Sequence, residues 1–82
     1  MSGKHKHWHR AWSRFSEDAA LHASGLVVRV DSGGDAQVVP DSVPGFEAHE
    51  AARGVPAHDL AQRRERLTRE AVAWLTDPRN RR

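Results

Sequence analysis

Leu60, Leu67, Ala71, Trp74 and Leu75 recur at helical spacing over the last third of the chain, and no other feature constrains the fold as strongly. Such a stripe covers one face of a helix, and a helix of this length needs another apolar surface to cover it. Asp59, with Gln62 three residues later, predicts the start of this helix, and Thr76, Asp77 and Pro78 predict its end. Its partner surface must come from the preceding 58 residues of an 82-residue chain, so one core and one domain are expected.

Two short runs rich in valine, G-L-V-V-R-V (25–30) and A-Q-V-V-P (36–40), flank D-S-G-G-D and predict a β-hairpin with a glycine-rich turn. Pro40 confines the second strand to an edge or an end. Asp31 and Asp35 lack the alternating oxygen ligands of a calcium loop, so the segment reads as a turn. Pro44 suits a first helical turn, and Gly45 to Arg53 predicts a short helix stopped by Gly54, with Val55 placed for the contact that follows such a cap.

The N-terminal third is harder to assign. A wheel at 100° per residue gathers Trp8, Ala11, Trp12, Phe15, Ala19, His22 and Ala23 into an arc of about 120°, predicting a helix over 8–24 that ends at Gly25. An extended His5 to Phe15 is the alternative, because Trp8 has no N-cap and the lysines before it oppose the helix dipole. The expected fold class is α+β: N-terminal helix, short hairpin, short helix and long C-terminal amphipathic helix. The domain is expected to span 1–78, with a basic lead-in at 1–7 and a mobile basic tail at 79–82. A two-stranded sheet and a thin core are marginal alone, so a homodimer is expected as well.

Charge is unevenly placed. Residues 1–14 carry four bases and no acid; 15–59 carry eight acids against Arg29 and Arg53; 60–82 carry seven arginines and three acids. Basic ends around an acidic middle suit either mutual neutralisation or a positive face for phosphates or an acidic protein surface. On the long helix, Glu65 with Arg69 and Arg66 with Glu70 are spaced for ion pairs, leaving Arg63 and Arg64 as the unpaired bases. The candidate nucleic-acid contacts are therefore Lys4, Lys6, Arg10, Arg63, Arg64, Arg66, Arg79, Arg81 and Arg82. Trp8, Trp12 and Trp74 are expected in the core, or at an interface where one is exposed.

Catalytic chemistry has no motif here: no nucleophile with its base, no paired carboxylates and no phosphate loop stand at a diagnostic spacing. A non-enzymatic binding module without cofactor is expected. His5, His7 and His9 converge on a metal only if their segment is a strand, and the intervening lysines would repel the cation, so no metal is assigned. The absence of cysteine removes disulfide and thiolate sites and fits a reducing, cytoplasmic setting. No apolar run is long enough to span a membrane.

A-R-G-V-P-A-H-D-L-A (52–61) resembles the turn between the two helices of ribbon-helix-helix DNA-binding proteins. In that family a glycine and an apolar residue close the first helix, and an apolar residue some six positions after the glycine opens the core face of the second; Gly54, Val55 and Leu60 match. Pro56 stands where the family usually has a serine or threonine cap. The resemblance covers about ten residues and implies DNA binding. A protein-interaction or inhibitor module of the phage or plasmid accessory type, using a Trp and Arg patch, is the alternative function.

Overall fold

The segment expected to form the first helix instead folds as two strands in the computed structural model, which describes residues 11–80. β1 (Trp12–Ser16) pairs antiparallel with β2 (Ala19–His22), placing Trp12 opposite His22 and Arg14 opposite Ala20. Glu17 and Asp18 form the tight turn between them. The Arg14 guanidinium spans this turn, donating to the Ser16 and Glu17 carbonyls at 3.4 and 3.0 Å. The supposed helical stripe is divided by the pleat: Trp12 is buried and Phe15 stands 61% exposed on the other face.

The predicted hairpin is present as β3 (Val27–Val30) and β4 (Ala36–Val38), and the four strands form one antiparallel meander in chain order. Asp31 shapes the β3–β4 turn, its Oδ1 accepting the Gly33 and Asp35 N–H groups at 2.9 Å each. Gly34 takes the left-handed conformation that this turn requires (φ +88°). Four intrachain strands remove the premise that a two-stranded sheet needs a second copy for support.

Two helices follow. α1 (Val43–Ala52) has Pro44 in its first turn, and α2 (Leu60–Thr76) holds the long amphipathic stripe. α1 ends as its sequence predicts: Gly54 has φ +90°, the Gly54 N–H donates to the Ala51 carbonyl and the Val55 N–H to the Glu50 carbonyl, both at 3.0 Å. Asp59, expected to cap α2 with its side chain, makes no capping hydrogen bond; a single 3₁₀ turn over Ala57–Asp59 leads into the helix. This is the helix–turn–helix order implied by the ribbon-helix-helix resemblance, but a four-stranded sheet within one chain precedes it, not the single strand of that family.

The core lies between the sheet and α2. Trp12, Ala20 and Val28 from the inner face of the sheet meet Leu26, Phe46, Leu67, Ala71, Trp74 and Leu75. Among the described residues no helix is long and apolar enough to cross a membrane.

Candidate nucleic-acid interface

The geometry of the basic residues begins with a buried acid. Glu50 follows Phe46 by one helical turn on the inward face of α1, and both side chains are fully buried. Its carboxylate accepts hydrogen bonds from His49 Nδ1 at 2.9 Å and from Arg63 Nε, with Arg53 Nη1 at 3.6 Å. Burial pushes the Glu50 carboxyl upward, but the hydrogen bonds from His49 and Arg63, with the charges of Arg63 and Arg53, outweigh it and hold the group below its ordinary value of 4.5. Arg63, expected to be an unpaired surface base, is thus fixed by Glu50 and its side chain is only 27% exposed. The Gly54 turn makes this meeting by returning the chain so that the first turns of α2 face the last turn of α1.

Next along α2, Arg64 is half-buried while Arg66 and Arg69 are exposed. Neither of the ion pairs permitted by their spacing forms. Glu70 is turned toward the sheet, where it accepts the Trp12 indole N–H at 3.4 Å. Among the described residues, Arg64, Arg66 and Arg69 therefore make no ion pair. A groove of about 510 Å³ runs past Ala61, Gln62, Arg64, Glu65, Thr68 and Arg69, so one exposed acid stands between its two arginines. On the other flank a cleft of about 380 Å³ lies between the Gly54–Pro56 turn and Gln62, Arg63 and Arg66.

Acidic residues gather at the opposite end. In a meander the β1–β2 and β3–β4 turns share one edge of the sheet, and here the Val30 N–H joins them through the Asp18 carbonyl at 2.9 Å. Glu17, Asp18, Asp31 and Asp35 stand there, all exposed. α2 packs across β2, β3 and β4, with Glu70 reaching Trp12 and Trp74 beneath Arg14 of β1, so its arginine-bearing first turns point away from that acidic end.

The remaining candidates are distributed as follows. Trp12 and Trp74 are 3% and 6% exposed and belong to the core, so neither presents an interface. Arg79, expected in a free tail, pairs with Asp77 at 2.8 Å, and Asn80 donates to the Trp74 carbonyl at 2.9 Å while its own carbonyl accepts from Arg14. Lys4, Lys6, Arg10, Arg81, Arg82, Trp8 and the His5, His7 and His9 set lie outside the described residues. Among the described residues no cluster of histidine and carboxylate side chains could hold a metal ion.

Two groups went unassigned by sequence reasoning. Glu50 could have been found from its spacing of four from Phe46, which places an acid on the core face of a short helix. His22 sits against Trp12 with ring centroids 4.8 Å apart, and its Nδ1 accepts from the Ser24 N–H at 3.1 Å and lies 2.7 Å from the Ser24 hydroxyl. Burial lowers its pKa from the ordinary 6.5, opposed by the nearby charges of Glu70 and Glu50. Ser24 is 4% exposed, so its hydroxyl satisfies the imidazole and does not face solvent.

Compared with known family models, curated proteins and solved structures, the chain matches none.

Proposed function

We propose that this protein is a non-enzymatic nucleic-acid-binding module that makes contact through α2, with Arg64 and Arg69 on one flank and Arg66 on the other, and through the basic residues of the chain ends. One observation carries this reading: these guanidiniums have no acidic partner among the described residues, while the acids of the two hairpin turns stand at the far end of the sheet. The arginines of the first turns of α2 outnumber Asp59 and Glu65 beside them, so this end presents a net positive charge to a phosphate backbone while the hairpin turns hold their acids away. Lys4, Lys6, Arg10, Arg81 and Arg82 are proposed to add phosphate contacts by virtue of their charge, and the setting proposed is cytoplasmic.

The test is a titration of labelled duplex and single-stranded DNA and RNA at several salt concentrations. Binding should weaken linearly in log–log form, and Arg64→Gln with Arg69→Gln should flatten the slope by roughly 0.9 per lost phosphate contact on duplex DNA. Absence of binding at ~50 mM salt rules the reading out, since nonspecific binders hold there.

A second reading, docking of a protein partner on the outer face of the sheet, is favoured by Phe15, which is 61% exposed with Leu21 on the same face. A pull-down in which Phe15→Ser retained every partner would count against it.

A further inference from the structure

The cleft beside the Gly54 turn lies on the opposite flank of α2 from the groove of Arg64 and Arg69. We infer that it is a receptor for a phosphate monoester, held by Arg53, Arg63 and Arg66. The inference goes beyond the nucleic-acid reading, because it names a terminal phosphate group and a cleft that shares only Arg66 with the proposed contact surface.

Four lining side chains are donors, Arg53, Gln62, Arg63 and Arg66, set against the apolar floor of Val55 and Pro56. Arg63 spends its Nε on buried Glu50, which fixes the plane of the guanidinium and leaves its Nη groups without an acceptor among the described residues. Arg53 is steered from the same side, its Nη1 lying 3.6 Å from Glu50. Arg66 and Gln62 complete the wall and have no hydrogen-bond partner among the described residues. The buried acid thus preorganises the basic wall before any ligand arrives.

A phosphate monoester suits this wall better than a carboxylate or a diester. It brings nearly two negative charges and three terminal acceptor oxygens, and guanidiniums meet such oxygens in pairs. Asp59 is the one acidic side chain in the lining, 45% exposed and 3.5 Å from His58 Nε2. It would repel a phosphate placed against it, so the phosphate lies at the arginine side and Asp59 faces a hydroxyl of the ligand. The lining contains no aromatic ring to stack a base, and selectivity therefore rests on the phosphate. A cleft of about 380 Å³ is in the range of small-ligand sites.

Two sources share this chemistry: the phosphorylated end of a nucleic-acid strand and a free phosphorylated small molecule. The full chain, isotope-labelled, is titrated by NMR with inorganic phosphate and with glycerol phosphate. In parallel, its affinity is measured for one single strand carrying either a 5′-phosphate or a 5′-hydroxyl. Both small probes should move the Gly54 and Val55 amide signals and the Arg63 Nε–H signal. The 5′-phosphate should tighten strand binding by about tenfold, the worth of one charge-assisted hydrogen bond. Arg53→Gln, which leaves the Glu50–Arg63 pair in place, should abolish that gain. Glycerol phosphate binding as tightly as the phosphorylated strand identifies the free small molecule as the source, and a gain confined to the strand identifies the chain end. Equal affinity for the two strands together with no response to either small probe overturns the inference, as does a gain that survives both Arg53→Gln and Arg66→Gln. Failure of the 5′-hydroxyl strand alone would count only against the nucleic-acid surface, because the small probes still decide the cleft.

Discussion

The first turns of α2 meet the rest of the chain through Arg63 and Glu50, whereas its last turns meet it through Ala71, Trp74 and Leu75. The apolar end is held by area removed from water, which is non-directional and spread over many contacts. The ionic end is held at one point, and the attraction there is worth having only because the carboxylate is already out of water. This difference explains why one arginine of α2 is structural and its neighbours are open. Glu50 can hold one guanidinium at hydrogen-bonding distance in this direction, and Arg63 has the register to reach it; Arg66 lines the same cleft without pairing with Glu50, and Arg64 and Arg69 line the groove on the other flank.

Breaking the ionic end should give the largest effect. Arg63→Met leaves Glu50 buried with His49 and the more distant Arg53, and should cost about 3 kcal/mol in urea unfolding, the lower end of the range for an orphaned buried charge because Arg63 is 27% exposed. The double variant Glu50→Leu with Arg63→Met should recover most of that loss, since it removes the charge that was orphaned. Additive losses in the double variant would show that the pair is not the contact that holds this end.

The contrast also marks what could be read in advance. α2 was legible because Leu67, Ala71, Trp74 and Leu75 repeat at its own period over many turns, and the hairpin because glycines and aspartates punctuate two valine runs. β1 was legible only as the alternative, an extended segment ending at Phe15, and β2 was not legible. The residues at 12, 15, 19 and 22 fall at helical intervals in the sequence because a register irregularity between Arg14 and Ser16 and a two-residue turn interrupt the alternation of the strands, and Trp12 and Phe15 lie on opposite faces. The Glu50–Arg63 pair joins residues thirteen apart across a turn whose geometry is needed to align them. Spacing rules within one helix could not reveal it, and the same rules wrongly assigned Glu70 to Arg66 when a tryptophan from β1 had claim to it.

Acid should weaken the fold in two stages, by less than the loss of Arg63, and only the second acts at the ionic end. His22 has its pKa lowered below 6.5 by burial, so the unfolded chain takes up that proton first; its contribution is complete above 6.5 and is lost as pH falls toward the folded value. Glu50 is also lowered, below 4.5, so its contribution is complete above 4.5 and is lost as pH falls through its folded value. Both groups therefore favour the folded state at neutral pH. Urea midpoints followed downward from about pH 7 should fall first below 6.5 and again below 4.5. His22→Gln should remove the first stage and leave the second. A first stage that persists in that variant would assign it to another group.

The smallest effect sharpens the comparison at the apolar end, where the two buried tryptophans differ in one atom's surroundings. The Trp12 indole N–H donates to Glu70 at 3.4 Å; the Trp74 indole N–H is buried with no acceptor among the described residues. Trp→Phe removes similar volume at both sites, but at Trp74 it also removes an unsatisfied donor, and the Arg14 guanidinium, 5.4 Å from the Trp74 ring, can still lie over a phenyl face. Trp74→Phe should therefore cost less than Trp12→Phe, by about 1 kcal/mol. The reverse order in urea unfolding would show that the Trp74 N–H has an acceptor, and the apolar end of α2 would then rest on a polar contact as the ionic end does.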